Sequence, residues 1–307
     1  MKASKTTPSS GYSLRKITGI SLGIALAFLL TWEIASHFSS RVAFLLSSPS
    51  EIAEALMAMA RSGDLLIDMG VTASEAIFGI AAGTMLGSVL GLALWLEKDL
   101  ARVVAPFIIV TANFPVFALA PAAIVWLGIG MGMKIFLASF ATFFVSLNAS
   151  YQGAKSAQAE FGGVFDGFRA SKWDTYRMII APGALDAVLN SMRVNVGIGI
   201  LGAFIGEFIA SERGLGHAII RASGLYQIDR VFAASLCIIA LALLFDVLAQ
   251  GIQKERLLIA RTFGLPLEMR IHTRKLDARR GRRPYRSSGI AGVGTDADVG
   301  YSGGRSE

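Results

Sequence analysis

Cysteine is almost missing: Cys237 stands alone in 307 residues. A single thiol excludes an intrachain disulfide and a thiolate metal site, and within an apolar run it reads as a small buried hydrophobe. Histidine is scarce too. His37, His217 and His272 lie far apart with no His-x-x-x-His or Glu-x-x-His spacing between them, so neither a metal centre nor a histidine-activated nucleophile has a foundation. No Gly-x-x-x-x-Gly-Lys-Ser/Thr phosphate loop occurs, which excludes ATP binding by that device and leaves no cofactor expected in this chain. Charge is thin as well. Charged residues make up 17% of the chain against 53% hydrophobic ones, too apolar a balance for a soluble domain, so lipid must be one of its solvents.

What the chain has instead is long apolar runs. Stretches of about 20 residues cross roughly 30 Å of hydrocarbon at about 1.5 Å per residue. Six qualify, at 17–38, 74–96, 103–127, 135–152, 191–211 and 232–252. With the amino terminus placed in the cytoplasm, 23 of the 29 Lys and Arg fall inside. Only Arg41, Arg61, Lys134, Arg213, Arg221 and Arg230 then lie outside. Retention of Lys and Arg on the cytoplasmic side sets orientation. The expectation is therefore an all-α inner-membrane protein of six transmembrane helices with both termini cytoplasmic. Lys2, Lys5, Arg15 and Lys16 before the first run could also open a cleaved signal peptide. The run outlasts such a peptide's core of about 7–15 residues and no small-x-small site closes it, so an uncleaved first span is expected. Residues 1–16 form a cytoplasmic segment, 17–265 the six-helix domain and 266–307 a basic, Gly/Ser-rich tail expected to be disordered. The tail's Arg279–Arg286 cluster suits anionic membrane lipid, at about 1 kcal/mol per adsorbed charge. Nucleic acid is not an expected partner.

Several local signals sit inside this plan. Ser48-Pro49-Ser50-Glu51 combines a capping box with Pro at the first helical position, predicting a short helix to about Gly63. Ile52, Leu56, Met57 and Met59 are read as its apolar face, lying along the outer membrane surface. Gly79, Gly83, Gly87 and Gly91 recur every four residues and make a smooth stripe for close helix packing. Asn113, Pro115 and Pro121 interrupt the third span, freeing backbone carbonyls at membrane depth either as a kink or along a protected path. Among acidic residues in or beside the spans, Glu33, Glu75 and Glu207 fall near the outer boundary, whereas Asp246 lies toward the inner side, where pairing and function are both open.

The longest internal cytoplasmic segment, about 153–190, reads as two short amphipathic helices. Val164, Phe165 and Phe168 make one face; Trp173, Tyr176, Ile179 and Ile180 make another. Ser171 with Asp174 supplies a capping box, and Pro182 is expected after the second helix. An apolar-faced helical pair exposed to cytoplasm invites a protein partner.

Here the sequence resembles the integral membrane subunits of binding-protein-dependent ABC importers, whose cytoplasmic loop carries Glu-Ala-Ala-x-x-x-Gly followed ten and thirteen residues later by Ile and Pro. Ile179 and Pro182 stand at those offsets from Arg169, and Ala181 replaces the usual Leu. The resemblance spans roughly 48–260 and is closest to the sulfonate, nitrate and taurine permease branch. The Ser-Pro-Ser-Glu helix, the Pro115–Pro121 segment, Trp126-Leu127-Gly128-Ile129-Gly130, and Glu207 followed by Gly214-Leu215-Gly216 occur in that branch's order. Two departures fall in the loop. Gly163-Val164-Phe165 replaces Glu-Ala-Ala, and Arg169 stands at the loop glycine, adding bulk where glycine allows positive φ.

The resemblance implies that the loop docks a cytoplasmic ATPase carrying ATP and Mg. Gly163, Val164, Phe165, Asp166, Phe168, Arg169, Ala170, Ser171 and Pro182 then form the coupling segment. It further implies a path between two permease copies, a homodimer, lined from spans three to five. Asn113, Pro115, Pro121, Asn148, Asn195 and Glu207 are its candidate residues, although buried amides serve equally to bond neighbouring helices. The segment 212–231 would then meet a periplasmic substrate-binding protein. An ion-coupled secondary transporter and a permease-like protein with degenerate ATPase coupling are the rival readings. Against the first, no inverted repeat and no midplane carboxylate is evident.

Overall fold

The computed structural model describes residues 14–112, 114–166 and 171–262, and among these it is helical apart from short connections. In chain order the helices are α1 (Leu14–His37), α2 (Ser40–Leu46), α3 (Pro49–Ser62), α4 (Asp64–Leu94), α5 (Lys98–Ala112), α6 (Val116–Leu127), α7 (Met131–Asp166), α8 (Lys172–Thr175), a π-helical turn (Tyr176–Ile180), α9 (Ala181–Ile209), α10 (Leu215–Gly224) and α11 (Ile228–Thr262). The chain divides into two units after Gln253; the second, Lys254–Glu307, is described only where α11 continues to Thr262. The basic tail lies outside the described residues.

Five stretches among the described residues are long and apolar enough to cross a membrane: Gly19–His37, Asp64–Leu94, Met131–Glu160, Lys172–Ile209 and Ile228–Gln253. The third of the six expected spans, 103–127, is two helices of 15 and 12 residues rather than one. Proline explains the break. A proline ring disfavours helical backbone in the residue before it, here Phe114, and Pro115 itself is extended at φ −69°, ψ 104° as the N-cap of α6. Pro106 and Pro121 lie inside α5 and α6, where each removes one more helical donor.

The two short cytoplasmic helices expected at 153–190 are corrected in a different way. They are the ends of long helices: α7 runs unbroken for 36 residues, about 54 Å at 1.5 Å per residue. Lys172–Ile209 is likewise helical over 38 residues. Pro182, expected beyond the helix, stands in the first turn of α9. The π-turn makes this possible, since the amide of Ala181 reaches back to the carbonyl of Tyr176 and a new first turn begins where proline's missing donor is not needed.

Helix α3 forms as its sequence predicts. Ser48 Oγ accepts from the Glu51 amide at 3.1 Å while Glu51 Oε2 accepts from the Ser48 amide at 3.1 Å, and Gly63 closes the helix at φ 80°. Its buried face differs by one residue. Ile52 and Ala55 are buried, with Leu56 and Met59 beside them against Trp32, Phe232 and Ala233. Met57, a further 100° around the helix, points away.

The centre of the protein is α4 and α7 side by side in the same direction, with α9 antiparallel across both. Gly79, Gly83, Gly87 and Gly91 are all buried and face α7. A Cβ on Gly87 or Gly91 would strike the carbonyl oxygens of Phe143 and Leu147, so these backbones touch with no side chain between them. From the other side a Cβ on Gly202 of α9 would lie 2.7 Å from Ala138 Cα, so Ala138 is enclosed by both neighbours. Ala76, Ile80, Val196, Ile200, Ala203, Leu241, Phe245 and Ala249 complete the apolar core around it.

Candidate functional site

Two ends of this core carry the groups of interest. One is the Trp95 end, where α7 leads into the segment 167–170 and α8 leads out. Gly163, Val164, Phe165 and Asp166 are the last residues of α7. Phe168, Arg169 and Ala170 lie outside the described residues. Ser171 caps α8, its Oγ accepting from the Asp174 amide at 3.1 Å, and Thr175 Oγ1 donates back to the Ser171 carbonyl at 3.0 Å.

From this cap an aromatic line runs inward. Trp173, 59% exposed, stacks on Tyr176 at 5.3 Å, and Tyr176 stacks on Trp95 at 6.1 Å. Trp95 sits just past α4 and donates Nε1 to Gln158 Oε1 at 2.9 Å. Around it α7 and α9 meet through Ala154, Ala157, Ile180 and Ala184. A Cβ on Gly183 would lie 2.8 Å from that of Ala157, and one on Gly153 2.6 Å from that of Ala187, so the backbones approach closely over small side chains.

The opposite, Glu207 end is polar. Lys134 of α7, counted from sequence among outer-side basic residues, is instead buried and donates to Glu75 Oε1 of α4 at 2.7 Å. Glu207 is fully buried; its Oε1 accepts from Thr72 Oγ1 and its Oε2 from the Gly216 amide, both at 2.7 Å. The Gly214 amide donates to Asp68 at 3.0 Å and the Leu215 amide to Thr72 at 2.9 Å. Gly214, at φ 112°, has no side chain with which to cap α10. Three consecutive orphan amides at that helix start are thus satisfied by side chains borrowed from α4 and α9.

Between the ends, Asn195 ties three helices: its Nδ2 donates to Thr84 Oγ1 of α4 at 2.8 Å and to Ser146 Oγ of α7 at 2.6 Å. Of the six candidate path residues, Asn195 and Glu207 are therefore enclosed within the chain, their bonds directed to neighbouring helices. Asn148 on α7 and Pro115 and Pro121 around α6 are exposed, and Asn113 lies outside the described residues. Asp246 pairs with Arg193 of α9, Nε to Oδ1 at 2.7 Å, and takes a further bond from Gln250 at 2.6 Å.

Asp68, Thr72 and Lys134 were not singled out from sequence, though a signal was present. Positions 68, 72 and 75 continue the stripe 79, 83, 87 and 91 at helical spacing, so the polar residues share the glycine face that meets α7. Among the described residues, no group of three or more His, Cys, Asp or Glu has the arrangement to hold a metal ion.

A family model described as "Binding-protein-dependent transport system inner membrane component" matches residues 79–256. The riboflavin transport system permease protein RibX of Chloroflexus aurantiacus is 29% identical over 80% of this chain and 92% of its own length. The taurine transport system permease protein TauC of Escherichia coli is 25% identical over 78% of this chain and 89% of its own. Among solved structures, an inward-facing form of the MetNI methionine ABC transporter superposes with a TM-score of 0.57 at 14% identity, covering 64% of this chain and 97% of that one; it shares the fold.

Proposed function

The chain belongs to the binding-protein-dependent transport system inner membrane components, and from that premise we propose that it imports a small organic or inorganic anion of the sulfonate, taurine or nitrate kind. It is a multi-pass inner-membrane transport subunit of an ABC system, not an enzyme. In this reading ATP and Mg are bound by a separate cytoplasmic ATPase, a periplasmic binding protein delivers the cargo, and two permease copies enclose the path between them.

The observation that carries this reading is the pair of long helical stretches on either side of residues 167–170, α7 and Lys172–Ile209. At 36 residues α7 is about 54 Å long, well beyond the roughly 30 Å of a hydrocarbon core. Its far end and α8 therefore stand clear of lipid and present Gly163–Asp166 and Ser171 to the cytoplasm, the side on which the charge pattern places them. Closure of the ATPase pair would push these helix ends, and Trp173, Tyr176 and Trp95 would pass the displacement to α4. The replacement of Glu-Ala-Ala by Gly163-Val164-Phe165 and of the loop glycine by Arg169 calls for a partner with a matching cleft, and Arg169→Gly should leave docking intact.

Uptake should stop when the phosphate-loop lysine of the partner ATPase is mutated and survive collapse of the proton gradient. The reverse pattern would support the ion-coupled secondary transporter. The relative named for riboflavin favours a second cargo, a heteroaromatic vitamin. Binding of taurine, nitrate and riboflavin to the co-purifying binding protein separates the two.

A further inference from the structure

The buried charges of the Glu207 end do not balance when every group is ionised. Asp68 and Glu75 of α4, Glu207 of α9 and Lys134 of α7 are 7%, 1%, 0% and 5% exposed. Three carboxylates thus face one ammonium. The amino end of α10 offsets about half a charge, and Asp68, bonded to the Gly214 amide, sits directly on it. Other titratable groups nearby do not close the gap. Arg213 is exposed and paired with Asp64 at 3.2 Å, Glu212 is exposed, His217 of α10 is half-buried, and α11 packs Cys237 and Ile238 against Leu65 and Leu215.

The remaining imbalance lies between two carboxyls. Glu75 gives Oε1 to Lys134, while its Oε2 is buried with no donor directed at it. Its neighbour is the carboxyl of Glu207: Thr72, one turn from Glu75, is bonded to Glu207, and the Lys134 side chain packs on Gly206. Both carboxyls therefore sit in the same buried layer of α4, α7 and α9. Two ionised carboxylates held close together away from water repel strongly, and such pairs hold a proton in common.

We propose that Glu75 and Glu207 bind one proton between them. It satisfies Glu75 Oε2, lowers the buried charge by one, and completes a chain from Lys134 through Glu75 and Glu207 to Thr72 and the Gly216 amide. That chain locks the start of α10 to α4, α7 and α9. Loss of the proton sets two carboxylates against each other beneath α10 and loosens it. The proposal rests on the geometry of one protomer and stands or falls separately from the transport reading.

The test is infrared difference spectroscopy of the full-length protein in detergent, in H2O and D2O at neutral pH. A protonated-carboxyl stretch that shifts in D2O is expected in the wild type, lost in Glu207→Gln and in Glu75→Gln, and kept in Asp68→Asn. Glu207→Gln copies the protonated acid and should melt within a few degrees of the wild type. The Glu75→Gln/Glu207→Gln double variant strands Lys134 and should melt far lower, with Lys134→Met restoring it. A wild-type minus Glu207→Gln spectrum containing only ionised-carboxylate bands would overturn the proposal. So would a Glu207→Gln protein that fails to fold, or a band removed by Asp68→Asn alone.

Discussion

At the Glu207 end of the α4–α7–α9 core, helices are joined by buried directional bonds of 2.7–3.0 Å from Lys134, Thr72 and the amides of Gly214, Leu215 and Gly216. At the Trp95 end the same helices meet largely through alanine and glycine, with a bond from Trp95 to Gln158, an exposed Lys172–Glu97 pair at 3.4 Å and a π-turn leading into α9. Directional bonds in a low-dielectric interior resist sliding because a displaced partner is left unsatisfied. Smooth surfaces of small residues carry no such penalty. On this contrast the Glu207 end is expected to hold its packing more rigidly than the Trp95 end, which lies beside the 167–170 segment on which an ATPase would act.

Substitutions can break that contrast, beginning with the largest effect. Lys134→Met removes the buried cation and leaves Glu75 uncompensated, so a loss of about 3–5 kcal/mol is expected in detergent unfolding. No single polar substitution at the Trp95 end should match it. Gly87→Leu forces α4 off the Phe143 carbonyl and should cost about 1–3 kcal/mol or prevent accumulation in the membrane. Ser48→Ala, which removes half of the capping box of α3, should cost about 1 kcal/mol. Trp173→Ala should change stability by no more than about 0.5 kcal/mol because the side chain is largely exposed. It should nevertheless reduce ATP-driven uptake while leaving the partner's basal hydrolysis in place. A Trp173→Ala protein with unchanged uptake would remove the aromatic line from the transmission path.

Much of the fold was legible because its signals are local. The Ser48–Glu51 box, Pro49 and Gly63 place both ends of α3 through backbone chemistry within a few residues. The glycine stripe and the interruption at Pro115 are visible for the same reason. The reading failed where an element's limits depend on distant residues. Apolar runs report lipid contact, not helix length, so the ends 64–73 of α4 and 153–166 of α7 are not legible as continuations of their helices. The Lys134–Glu75 pair spans 59 positions, and neither residue alone signals that it is buried rather than solvated at a membrane boundary. Asn195 shows the same limit, since its type fits a lining role and an interhelical role equally and only its position among Thr84, Thr142 and Ser146 distinguishes them.

The most direct test uses the scarcity of cysteine. In a Cys237→Ser background, which is cysteine-free, Phe168→Cys or Arg169→Cys places one thiol in the 163–171 segment. A short thiol–thiol cross-linker should join it to a cysteine in the cleft of the partner ATPase, with a yield that changes when nucleotide is added. ATP-driven uptake that persists with no cross-link from either position, or after deletion of 163–171, would contradict the assignment of this segment as the coupling element.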